Sequence, residues 1–189
     1  MTAKLKKTVV MVGMMGAGKS AVGKELARQL NVPFIDSDAE IETAANATIA
    51  EIFTRDGEAF FREKEAQVIA RLLDGTPCIL SVGGGAFLRP KTREIVTERG
   101  VSVWLKADLE TLWHRVKRKD TRPLLRTENP RQTLADLMAA REPAYTQADL
   151  IVQTAPDYAI ETTAEIVAKT LAKRPDVLSA AQKICKDHP

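Results

Sequence analysis

Histidine, cysteine and aromatic side chains are scarce in this chain. Its 189 residues include two cysteines, Cys78 and Cys185, and two histidines, His114 and His188, while Phe, Trp and Tyr together make 5%. Four such ligands at unrelated spacings supply neither a zinc site nor a disulfide framework. They read as free thiols in a reducing compartment, and the location expected is cytoplasmic. No run of about 18 apolar residues occurs, so a membrane-spanning helix is not expected. An excess of one charge is also missing, with 28 Lys and Arg against 25 Asp and Glu and a net +3. That balance argues against a dedicated nucleic-acid surface, although a local basic patch can still serve a phosphorylated small molecule. The partners expected are therefore small molecules, with no nucleic acid and no membrane, and the chain reads as a monomer.

What is present is ordinary globular material: 44% hydrophobic and 28% charged residues in a length that suits one domain. Lys4, Lys6 and Lys7 precede an apolar stretch at residues 8–17, a faint echo of a secretion signal. Gly13 and Gly16 interrupt it, however, and it runs into Gly18, Lys19 and Ser20, so a strand and its following loop explain it better. Residues 8–12 are apolar after Thr8, as in a strand buried on both faces, and similar short runs lie at 32–35, 78–82, 101–105 and 150–152. Helical patterns alternate with them. One opens at Lys19 and runs to residue 30. Thr48 and Glu51 form the letters of a capping box. Residues 57–74 place Phe61, Val68 and Leu72 on one face, ahead of Gly75. Pro90 opens a helix that Gly100 ends, and Asp108 caps another. Further helices are expected over 130–141 and 156–173. Five strands separated by helices predict a three-layer α/β fold with a five-stranded parallel sheet and right-handed crossovers. Two stretches exceed simple connections: about 38–74, and the basic segment of about 115–131. Residues 1–175 are read as one domain carrying these two insertions. Residues 176–189 form a tail, with a short helix expected through Leu178, Ala181 and Ile184.

The most informative stretch is Gly13, Met14, Met15, Gly16, Ala17, Gly18, Lys19 and Ser20, which fits G-x-x-x-x-G-K-[ST] between a strand and a helix. Small residues let consecutive backbone N–H groups curl around phosphate oxygens, and the helix N-terminus adds its positive dipole end. Lys19 reaches the terminal phosphates and the Ser20 hydroxyl suits Mg²⁺. The nucleotide contacts expected extend through Ala21. A Mg²⁺-organising carboxylate is usual at a neighbouring strand end, but the strand at 78–82 ends in Gly83, Gly84 and Gly85. Asp36 and Asp38 follow the second strand instead, on the rim that parallel strands share. One suits Mg²⁺ through water and the other suits the proton of a substrate hydroxyl. Taken alone, Asp38 would more commonly be a helix cap. The glycine triplet points to a ligand packed against bare main chain. Arg62 and Arg141 offer planar forks for a carboxylate. Arg115, Lys117, Arg118, Lys119, Arg122, Arg126 and Arg131 make the second insertion a candidate lid over the phosphates.

Taken in order and at compatible spacing, the phosphate loop at 13–20, the Asp36–Asp38 pair, Phe61 with Arg62, Gly83–Gly85, Arg122 with Pro123, and Arg141 through Tyr145 resemble the shikimate kinase family over about residues 7–173. The resemblance implies the nucleoside monophosphate kinase type of P-loop fold, with lid and substrate-binding insertions. It also implies transfer of the ATP γ-phosphoryl group to the 3-hydroxyl of shikimate, on the route to chorismate and aromatic amino acids. Carried over by position, Ser20 holds Mg²⁺ with Asp36 assisting through water, Asp38 binds hydroxyls and is the candidate base, and Lys19 and Arg122 stabilise the moving phosphoryl group. Arg62 and Arg141 take the carboxylate, Gly83 and Gly84 the ring hydroxyls, and Phe53 and Phe61 wall the pocket. Arg115 lies near adenine. One departure stands out: residues 153–157 are short and lack the arginine that many members carry in an adenine loop. Without the resemblance, a gluconate or nucleoside monophosphate kinase fits the residues as well. A nucleotide-gated module is a further alternative, although no [NT]KxD guanine-reading tetrad occurs.

Overall fold

The computed structural model describes residues 4–117 and 123–179. Five parallel strands form one sheet in the order β2-β3-β1-β4-β5. They are β1 (Thr8–Val12), β2 (Phe34–Asp36), β3 (Ile79–Ser81), β4 (Gly100–Lys106) and β5 (Leu150–Gln153). The central strand β1 is buried throughout, with Val9, Val10 and Met11 at zero exposure, which is why its sequence shows no alternation. In register, Val9 lies beside Ile79 on one side and Val101 on the other. Helices cover both faces: α1 (Lys19–Leu30), α2 (Ser37–Ala45), α3 (Ile49–Leu73), α4 (Pro90–Arg99), α5 (Leu109–Val116), α6 (Pro130–Tyr145) and α7 (Ile160–Leu171). This is the α/β class expected from the alternating pattern. Among the described residues, no helix is long and apolar enough to cross a membrane.

Several boundaries differ from the sequence-based expectation. The second strand starts at Phe34, because the Val32 amide still bonds to Ala27 O at the end of α1 and Pro33 has no amide to give. Helix α3 is longer than expected: Thr48 caps it through a complete capping box, and Gly57 (φ 82°, ψ 169°) breaks it into two segments. Its deeply buried face is Phe61, Glu65, Ala66, Ile69 and Leu73; Val68 and Leu72 lie only at the margin. Helix α6 continues four residues beyond 141 to Tyr145, with Pro143 inside its last turn. The last helix begins at Ile160, since residues 154–159 form a loop at the strand end. In the tail, Leu178 pairs with Leu5 in an antiparallel bridge rather than in a helix, and the Lys6 amide bonds to Val177 O at 2.7 Å. Ala181 and Ile184 lie outside the described residues.

Helices α2 and α3 carry a small apolar cluster of their own, Ile41, Ile52 and Phe61, separate from the main core. The substrate-binding insertion expected from the sequence therefore has internal packing that holds its shape beside the sheet rim.

Candidate active site

The strand ends form the floor of a cavity of about 900 Å³. Its walls come from the loop after β1, the start of α2, Gly83 and Gly84 after β3, Arg115 of α5 and the segment after β5, whereas Arg62, Arg141, Phe53 and Phe61 are not among the residues that line it. The phosphate loop is built as its letters demand. Gly16 and Gly18 have φ of 81° and 95°, a region that side chains avoid, and Gly18 occupies the N-cap of α1 without a capping side chain. The first amides of α1 are thus left for an anion. Lys19 Nζ donates to Gly13 O at 2.9 Å and Met14 O at 3.1 Å, so the ammonium is held against the loop it serves.

Asp36 joins two neighbours. Its Oδ2 accepts from Ser20 Oγ at 3.2 Å, and its Oδ1 accepts from the Asp38 amide at 3.0 Å. The helix cap that the sequence suggested for Asp38 therefore belongs to Asp36, and Asp38 lies in the first turn of α2. This frees the Asp38 carboxylate. A methyl group on Gly83 would lie 3.1 Å from Asp38 Oδ1 and 3.1 Å from Glu65 Oε1, so Gly83 admits two carboxylates to bare backbone. Burial pushes the Asp38 carboxyl up from its ordinary range, reinforced by the nearby Asp36 charge. Lys19 and Arg62 oppose the shift from either side.

Arg62 donates to Glu65 Oε2 at 2.9 Å and to Glu58 Oε1 at 3.3 Å. Its guanidinium lies over Phe61 (5.1 Å) and Phe53 (6.0 Å), whose rings are 4.6 Å apart. The two phenylalanines thus form a platform under Arg62, with Phe61 buried at 3% exposure and Phe53 half-buried. The Arg62 fork also packs on Gly85, where a Cβ would approach it to 2.5 Å. On the other side, Arg141 Nη1 would lie 3.1 Å from a Cβ on Gly84. Consecutive glycines therefore bring together two arginines from helices far apart in sequence.

Glu65 was not apparent as a site residue. It is 1% exposed, it pairs with Arg62, and its Oε1 has no hydrogen-bond partner. Burial raises its pKa most, with the Arg62 hydrogen bond opposing. Its position three residues after Arg62 on one helix was the available signal. On the cavity wall, Arg115 Nη1 reaches toward Gly16 O at 3.4 Å, and its Nη2 toward Ala155 O at 3.4 Å. Pro156, Tyr158 and Ile160 continue the wall there, in the segment without an arginine. Arg118, Lys119 and Arg122 of the basic segment lie outside the described residues. Arg131 pairs with Glu110 on α5, an exposed ion pair between two helices. Among the described residues, no group of three His, Cys, Asp or Glu side chains is assembled for a metal.

The shikimate kinase family model matches residues 15–173. A shikimate kinase of Cereibacter sphaeroides is 67% identical over 176 residues, covering 93% of this chain and 88% of its own. One from Ruegeria pomeroyi is 63% identical over 176 residues, covering 93% and 90%. Among solved structures, the shikimate kinase of Acinetobacter baumannii in complex with shikimate superposes with a TM-score of 0.82 at 38% identity, covering 88% of this chain and 93% of its own. With the loop, carboxylates and paired arginines on one sheet rim, the chain belongs to the shikimate kinase family.

Proposed function

We propose that this cavity and the two arginines packed on its glycines divide the work of one phosphoryl transfer. The enzyme phosphorylates shikimate with ATP, in the pathway to the aromatic amino acids. The supporting observation is the position of Asp38, which lines the cavity with Lys19 and Ser20 and meets Gly83 together with Glu65, the partner of Arg62. The phosphate loop binds the ATP phosphates through its amides and Lys19. Arg62 and Arg141 hold the shikimate carboxylate, with Gly83 and Gly84 offering main-chain contacts to the ring hydroxyls. Asp38 accepts the proton of the 3-hydroxyl as its oxygen bonds to the γ-phosphorus and the bond to the ADP oxygen breaks. Arg122 is assigned to the moving phosphoryl group on the resemblance alone, and Arg115 with Pro156 and Tyr158 to the base.

Mg²⁺ is the expected companion of ATP. The Ser20 hydroxyl and Asp36 carboxylate, 3.2 Å apart beside the phosphate loop, fit an ion that takes one or two oxygen ligands from protein and the rest from phosphate and water. Bound there, the ion would neutralise charge on the phosphate oxygens. Ser20 and Asp36 hold and orient it, and Asp36 at the same time fixes the start of α2 on which Asp38 rides.

A coupled ADP-release assay with shikimate, gluconate and AMP offered separately tests the reading. Release is expected to depend on shikimate and to stay near background with the other two. Equal turnover with gluconate or AMP, or release indifferent to shikimate, would overturn it.

A further inference from the structure

The glycine triplet has a conformational choice, and one buried hydroxyl decides it. The Ala86 amide donates to Gly83 O at 3.1 Å, so residues 83–86 form a β-turn with Gly84 and Gly85 at its centre. That bond uses neither the Gly84 carbonyl nor the Gly85 N–H, which share one peptide plane. Gly85 lies at φ −90° and ψ −19°, and neither central glycine has a positive φ, the type I arrangement. Rotating the central peptide gives type II, which needs a positive φ at Gly85. A side chain there would resist the flip; glycine does not. The turn therefore has little of its own to choose between the two.

Tyr145 supplies the choice. Its hydroxyl donates to Gly84 O at 2.6 Å across 61 residues of sequence, and the side chain is 1% exposed. The ring stacks on Trp104 with centroids 5.8 Å apart, which fixes where the oxygen sits. Arg141, one helical turn earlier, packs its guanidinium on the same glycine. A Cβ on Gly84 would meet both, Arg141 Nη1 at 3.1 Å and the Tyr145 oxygen at 3.6 Å, while the next glycine seats Arg62.

We infer that Tyr145 is a positioning residue for shikimate: its hydroxyl locks the Gly84–Gly85 peptide in the type I orientation and thereby sets the seats of both arginines. The inference rests on the reading of Arg62, Arg141 and the glycines as shikimate contacts. It assigns Tyr145 no contact with ATP, because its hydroxyl is spent on Gly84 O.

Tyr145→Phe keeps the ring against Trp104 and removes only the oxygen. Steady-state kinetics of this variant should show the KM for shikimate raised about tenfold, with the KM for ATP within about twofold of wild type. A merely structural role would move both constants together with the thermal midpoint, and that pattern, or an unchanged shikimate KM, overturns the inference. Spectra of protein labelled with ¹⁵N-glycine give a second readout. The Gly85 amide should broaden or double in the variant, and an unaltered single resonance would contradict the lock. Arg141→Met, run in parallel, separates the two levels: an unchanged shikimate KM there would refute the reading of the acceptor end itself.

Discussion

Asp38→Asn should lower kcat by about 10²- to 10⁴-fold, the range a positioned general base contributes, while the KM for ATP changes little. The amide is nearly isosteric but cannot take the hydroxyl proton. A loss of folding is not the expected cause. Burial raises the Asp38 carboxyl above its ordinary pKa, so the folded state binds that proton more tightly than the unfolded chain does. Stability therefore falls as pH rises from the unfolded to the folded pKa, and ionising the group costs the fold. The variant should melt at the wild-type temperature or above it in buffer near pH 7. The same shift bears on the pH profile: kcat/KM for shikimate should fall on its acid side at a higher pH than an ordinary aspartate would give, because the protonated carboxyl cannot act as base. A variant that keeps near-normal turnover would remove Asp38 from the base role.

Lys19→Met should lower kcat by about 10²- to 10³-fold, comparable to removing one preorganised donor from a developing charge. The ammonium lies 2.9 Å from Gly13 O and 3.1 Å from Met14 O, so it is presented at the loop before any phosphate arrives. It is placed for the terminal phosphates, where charge redistributes during transfer, and catalysis of this kind rests on positioning and electrostatics. The KM for shikimate should stay close to wild type, since the acceptor contacts proposed are made by Arg62 and Arg141. Turnover within threefold of wild type would show that the charge is not needed in the transition state.

Local chemistry made some elements legible to the residue. The strand Thr8–Val12 and helix Lys19–Leu30 are bounded by the phosphate loop, and Pro90 with Gly100 punctuates α4. The letters of the capping box at Thr48 and Glu51 are realised in both directions. What sequence could not supply were contacts between distant segments. Glu65 looks like a surface glutamate until helix α3 is packed against the glycine triplet, and Tyr145 gains its meaning from a carbonyl 61 residues away. Asp36 and Asp38 both precede helical residues, and it is Asp36 that caps α2. Only the backbone shows that the chain turns into α2 at Ser37. The absence of an arginine after β5 was visible from the start. The folded chain puts Tyr158 and Pro156 on that wall, with Arg115 reaching across from α5.

In the proposed function the acceptor is held by its carboxylate, between Arg62 and Arg141, so that its hydroxyl meets Asp38. Comparing ADP release with shikimate and with its methyl ester tests this most directly, on the unaltered enzyme. Charge-assisted hydrogen bonds of about 1.5–3 kcal/mol each would be weakened in the ester, and its kcat/KM should fall by about 100-fold. Equal kcat/KM for acid and ester would contradict carboxylate recognition and with it the placing of the acceptor at Asp38.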